Sequence, residues 1–170
     1  MKSKKLGKIS DKTTIKMLKA SAFDVDVRKT ERTAVAVLMH WMREIIERSN
    51  IDLGLPDVET SGTDRKMPDT VIYESRRSQN ILCLIEAKPP YYDAFDEKGL
   101  KEPAREKASQ RKAKYFCLTN FKRLIWFNTK EVNALKPEEE QIVGKYTLSE
   151  LESLDDIEQT RYSEPIKKGL

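Results

Sequence analysis

The chain has little of the side-chain chemistry on which many enzyme sites are built. Two of its 170 residues are cysteine and one is histidine. Cys83 and Cys117 each lie inside an apolar run, ILCLI and YFCLTN, and read as small buried hydrophobes. No CxxC pair is present to hold zinc, and a disulfide is not expected. A lone His40 excludes a catalytic histidine pair and a histidine-rich metal site; it falls among apolar positions and reads as structural. There is no glycine-rich phosphate loop, so the chain carries no nucleotide-driven motor, and no methyltransferase-type glycine loop. No apolar run approaches the ~20 residues that cross a membrane. The lysine-rich start is not followed by the apolar segment of a signal peptide. These absences lead to the expectation of a cytoplasmic chain with no membrane partner.

Charge, by contrast, is abundant. Charged residues make up 35% of the chain, with a formal net charge of +4. The charge is unevenly spread: residues 1–20 hold seven lysines and one aspartate, residues 98–115 are again basic, and the stretch beyond residue 131 is acid-rich. Basic segments of this kind suit phosphate contact, and they equally suit plain solvation. The length corresponds to about one domain. We read residues 1–29 as a basic arm, 30–130 as the core, and 131–170 as an acidic extension of that domain or a linker to a further module.

Hydrophobic periodicity gives the element order. In residues 30–49, Val35, Leu38, Met39, Met42, Ile45 and Ile46 recur at helical spacing, with Thr30 as N-cap and Glu31 in the first turn. Residues 69–75 read as a short strand, 76–80 as a turn, and 81–87 as a strand buried on both faces that ends before Pro89-Pro90. The two strands are expected to pair as a hairpin. Residues 91–100 read as a mobile loop, 102–115 as a helix opened by Pro103, and 116–119 and 123–128 as strands. Beyond 128 a short helix is expected near 148–154. The solution is an α/β (α+β) fold, a mixed sheet with helices on its faces.

In such a hairpin, Asp69 opens one strand and Glu86 closes its neighbour, so both carboxylates come to one end of the sheet. Lys88, two residues beyond Glu86, is expected on the same face, with Ala87 turned into the core. Two carboxylates and the Ala87 carbonyl suit Mg²⁺, with Mn²⁺ as a substitute, because magnesium takes oxygen ligands and one or two carboxylates. Lys88 is suited to orient an attacking water or to stabilise charge on a phosphorane. A solvated ion pair at a strand end is the alternative for the same residues.

The stretches GTDRKMPDTVIY, ILCLIEAKPP, SQRKAKY, FCLTN and RLIWFN together resemble the PD-(D/E)xK nuclease superfamily. The resemblance extends to the N-terminal nuclease domain of type I restriction enzyme R subunits and related single-chain restriction-modification enzymes, over roughly residues 31–128. It implies a restriction-endonuclease-like fold and Mg²⁺-dependent DNA cleavage. It implies catalytic roles for Asp69, Glu86, Lys88 and Gln110, and metal ligation by Asp69, Glu86, the Ala87 carbonyl and Glu31, with Glu44 as a further choice. Tyr115 follows Gln110 by five residues where the family has four. Arg76, Arg77, Lys107, Arg111, Lys112, Lys114 and Tyr115 are the candidate nucleic-acid contacts. DNA is the implied partner, with a motor, methyltransferase or recognition module on the same longer chain and a transient dimer for cutting both strands. Two rivals stand beside this: a non-cleaving nucleic-acid-binding module of the same fold, and an α/β domain for protein contact.

Overall fold

The computed structural model describes residues 30–58 and 69–170. The basic arm and Pro68 lie outside the described residues. Helix α1 (Glu31–Ser49) begins where Thr30 accepts a hydrogen bond from the Thr33 N–H, and ends where Asn50 turns left-handed at φ 53°. Its expected stripe is buried, together with Ala34 and Trp41; Ile45 is half-buried. His40 departs from expectation. It is 69% exposed beside Glu44 on the outer face, because the apolar stripe of a 3.6-residue helix leaves position 40 on the far side.

Five strands form one sheet in chain order among the described residues: β1 (Thr70–Tyr73), β2 (Ile81–Ala87), β3 (Tyr115–Thr119), β4 (Arg123–Asn128) and β5 (Ile142–Thr147). Only β2 and β3 are parallel; every other neighbouring pair is antiparallel. The parallel step needs a crossover, made by a π-helical turn (Glu97–Lys101) and helix α2 (Glu102–Gln110). Residues 51–58 run along the outer edge of β1, where Gly54 N–H donates to Tyr73 O and Asp57 exchanges bonds with Val71. Glycine is required there, since a Cβ at Gly54 would meet the Tyr73 Cβ at 2.6 Å.

Alternation along the strands divides the core in two. Ile72, Cys83, Ile85, Ala87, Cys117 and Leu124 face α1. Val71, Leu84, Phe116, Leu118, Ile125 and Phe127 face α2, whose Ala104 and Ala108 let the helix lie close to the sheet. Two expectations are corrected here. Residues 91–100 are not a featureless loop: Ala94 and Leu100 are buried, and Asp96 caps the π-helical turn by accepting from the Gly99 N–H. The helix expected to reach residue 115 stops at Gln110, because Lys112 takes φ 55° and Tyr115 is already paired in the sheet opposite Asn128.

Beyond β4 the chain forms helices α3 (Thr129–Asn133) and α4 (Glu138–Gln141), then β5, a 3₁₀ turn (Leu154–Asp156) and helix α5 (Thr160–Gly169). Leu148, Leu151, Ile157 and Ile166 from this part are buried in the α1-side core. Among the described residues no helix is long and apolar enough to cross a membrane.

Candidate active site

The β1–β2 register sets Thr70 opposite Ile85, so Asp69 comes to the level of Glu86. The end of the hairpin is closed by a hydrogen bond from the Ala87 N–H to Asp69 Oδ2 at 2.7 Å. Glu86 is 5% exposed, lying on the α2 side of the sheet between that helix and β3. Lys107, from the middle of α2, donates from Nζ to Glu86 Oε1 at 2.7 Å. Lys88 continues the pairing of β2 past its end, donating its N–H to Thr119 O at 2.8 Å. Its side chain does not join Glu86. It reaches Glu31 Oε1 on the first turn of α1 at 3.0 Å, because β2 has ended and the strand alternation no longer fixes its direction. The site therefore sits where the two helical layers meet at one end of the sheet.

The electrostatics follow from burial. Desolvation raises the Glu86 carboxyl to about 7, against the Lys107 hydrogen bond and charge that pull it down; the negative charge of Asp69 adds to the rise. Burial also raises Asp69, opposed first by the Ala87 N–H and then by Lys88. Burial disfavours the charged form of Lys88, but the hydrogen bond and charge of Glu31, with Asp69 and Glu86, outweigh it and the net shift is upward. Among the described residues, no three His, Cys, Asp or Glu side chains gather as a ready metal cluster. The potential oxygen donors are two desolvated carboxylates that repel each other, and lysines now supply their countercharge. A hard cation with open positions for water and substrate oxygen fits such a pair.

The other expected site residues divide by place. Gln110 is the exposed last residue of α2, three positions after Lys107. Tyr115 is not on the helix with it. It opens β3 opposite Cys83 and packs edge-on against Trp126, ring centroids 5.5 Å apart, on the α1 side of the sheet. Glu44 lies beside His40 and Arg48 on the outer side of α1. Arg76 and Arg77 are exposed in the β1–β2 turn, Arg111 and Lys112 border a surface hollow with Glu74 and Asn80 beside that turn, and exposed Lys114 lies over the Tyr115 ring. The length of β2, about 20 Å at ~3.3 Å per residue, separates this basic rim from the carboxylates. Lys107 lies apart from the rim, in the ion pair with Glu86. Ala104 and Ala108 mark the face of α2 that meets the sheet and Lys107 flanks it, but nothing local in the sequence names Glu86 as its partner.

The arrangement invites comparison with solved structures. One likeness spans most of the chain, to the type IIG restriction endonuclease BpuSI, with 14% identity, a TM-score of 0.51, and coverage of 81% of this chain. It is a mixed α/β fold similar to part of a restriction endonuclease. The chain spans 15% of the length of that enzyme. No family model and no curated protein sequence matches the chain.

Proposed function

We propose that this chain is a metal-dependent DNA endonuclease of the PD-(D/E)xK type, the nuclease module of a restriction-modification enzyme. The observation that carries the reading is the meeting of Asp69 and Glu86 at one end of the β1–β2 hairpin, with Lys88 just beyond the end of β2, in a fold similar to part of a restriction endonuclease. Asp69 and Glu86, with the Ala87 carbonyl, would hold Mg²⁺ or Mn²⁺. Such a cation, when bound, would supply a water of lowered pKa and would neutralise charge on the scissile phosphate. Glu86 must be ionised for this, and its partner Lys107 then turns from the carboxylate to substrate phosphate. Lys88, anchored by Glu31, positions its ammonium to orient the attacking water and to stabilise the negative charge that develops as the P–O bond breaks. Gln110, the last residue of α2, would position substrate or water. Two modules, meeting transiently, cut the two strands; sequence recognition, a motor or a methyltransferase belongs to other modules of a longer chain.

A second reading rests on one observation. Glu86 and Lys88 are each already matched, by Lys107 and Glu31, as in a fold that binds DNA without cutting it. Supercoiled-plasmid cleavage separates the two. Nicking that requires Mg²⁺ or Mn²⁺, stops in EDTA and is lost in Glu86→Ala and Lys88→Ala is expected. Nicking that survives both substitutions sinks the site assignment, and metal-independent binding without nicking favours the second reading.

A further inference from the structure

The segment directly after Lys88 carries a group of aromatic rings that the core does not use. Tyr91 is 80% exposed, Tyr92 46% and Phe95 39%. The two tyrosine rings lie against each other, centroids 5.2 Å apart and tilted by 41°. Rings of this size are usually hidden, and exposing several together implies a partner for their faces.

The rings are held in place. Tyr92 N–H donates to Pro89 O at 2.9 Å, and Tyr92 O accepts from the side-chain amide of the buried Asn120 at 2.8 Å. Asn120 follows Thr119, the residue paired with Ala87, so the tyrosines sit at the site end of β2 and β3. Tyr91 is three residues from Lys88, a reach of at most about 11 Å. Phe95 extends the group across the sheet, with Arg123 over its ring at 5.7 Å and Lys145 at 5.1 Å.

Register puts these cations on the same face of the sheet as Glu86. Glu86 is level with Leu118, Leu118 with Ile125, and Ile125 with Lys145. Three strand spacings, about 14 Å at ~4.8 Å each, separate the ends of that row. Asp93 and Asp96 of the loop accept from the Phe95 and Gly99 N–H groups, which fixes both carboxylates to the backbone of their own loop. Lys145 pairs with Glu138, whereas Arg123 has no carboxylate partner among the described residues.

Exposed rings beside cations, a few nucleotides' length from a phosphodiester site, match the face of an unpaired base followed by its phosphate. A base inside a duplex is stacked on both faces and has none to offer. We propose that Tyr91, Tyr92 and the Phe95–Arg123–Lys145 cluster form a stacking platform for the bases of single-stranded DNA entering the candidate active site. As a statement of substrate class this rests on the nuclease reading; as a statement of binding it does not require cleavage.

The test is fluorescence anisotropy of a short labelled oligothymidylate and of a duplex of equal length, both in EDTA, with the full 170-residue chain. The wild type is expected to bind the single strand more tightly. The double substitution Tyr91→Ala, Tyr92→Ala should weaken that binding roughly tenfold or more, while Tyr91→Phe, Tyr92→Phe keeps it within about twofold, since stacking needs the ring and not the hydroxyl. Equal single-strand binding by the alanine variant, with its melting curve unchanged, overturns the platform. So does a wild type that prefers the duplex, or one that binds no single strand, which leaves the rings as a contact for another protein module. Plasmid nicking in Mg²⁺, run in parallel, keeps the two readings apart: nicking with tyrosine-independent binding removes the platform alone, and tyrosine-dependent binding without nicking removes the nuclease alone.

Discussion

At the scale of single residues, Glu86 is a carboxyl group largely withdrawn from water. Its folded-state carboxyl lies at about 7, well above the ordinary 4.5. The sign follows from proton counting. Between those two values the folded chain holds a proton that the unfolded chain has lost, so this group's contribution to stability is complete below 4.5 and declines as pH rises through 7. Glu86→Gln resembles the protonated acid and cannot ionise. The variant's melting temperature relative to wild type is therefore expected to climb as pH goes from 5 to 8, read by circular dichroism in EDTA. A difference that stays flat over that range means Glu86 is not held up by burial. The same residue shows how far sequence reaches. That Asp69 and Glu86 would come to one end of the sheet was readable, because an antiparallel hairpin brings the start of its first strand beside the end of its second. The partners of the lysines were not: Lys107 is 21 residues from Glu86 and Lys88 is 57 from Glu31, and no local pattern reports where long flexible side chains end.

At the scale of elements, strong apolar periodicity was decisive. α1 and β2 form almost where their patterns begin and end, because burial on one stripe or on both faces overrides local propensity. The boundary of α2 was misread for the complementary reason: good helix formers continue to residue 114, but YFCLT is required for the sheet and pulls the chain out of the helix. The β3–β4 turn that follows is held by side chains. Asn120, 6% exposed, accepts from the Lys122 and Arg123 N–H groups at 3.1 and 2.9 Å and donates to Tyr92 O. Phe121 takes φ 64°, uncommon for a bulky residue, with its N–H on Thr119 Oγ1 at 3.0 Å. Asn120→Ala removes three part-buried hydrogen bonds and is expected to cost about 1–3 kcal/mol in urea unfolding. It should also speed hydrogen exchange across residues 91–95. Unchanged exchange there would mean the loop is held by its own turn and not by Asn120.

At the scale of the whole molecule, the part hardest to read is the one that completes the core. α5 is short, contains Pro165 and offers Ile166 as its one fully buried large side chain, and β5 carries exposed residues at most of its positions. Their patterns are weak because each element covers an edge or a corner and not a full face. Yet Leu148, Leu151, Ile157 and Ile166 are each at most 2% exposed, and they fill the same core as α1 and the floor of β2. The chain is tied back there by Leu148 N–H to Lys122 O and by Ser149 Oγ to Phe121 O, both at 2.7 Å. Burying a side chain of this kind contributes about 1.5–3 kcal/mol, so four of them contribute roughly 6–12 kcal/mol. That is comparable to the whole ~5–15 kcal/mol stability of a typical domain. A chain ended after Thr147 is thus expected to lose its cooperative thermal transition and to expose apolar surface to a reporter dye. A truncated chain that melts cooperatively near the wild-type temperature would show that α1 and the sheet form a sufficient core by themselves.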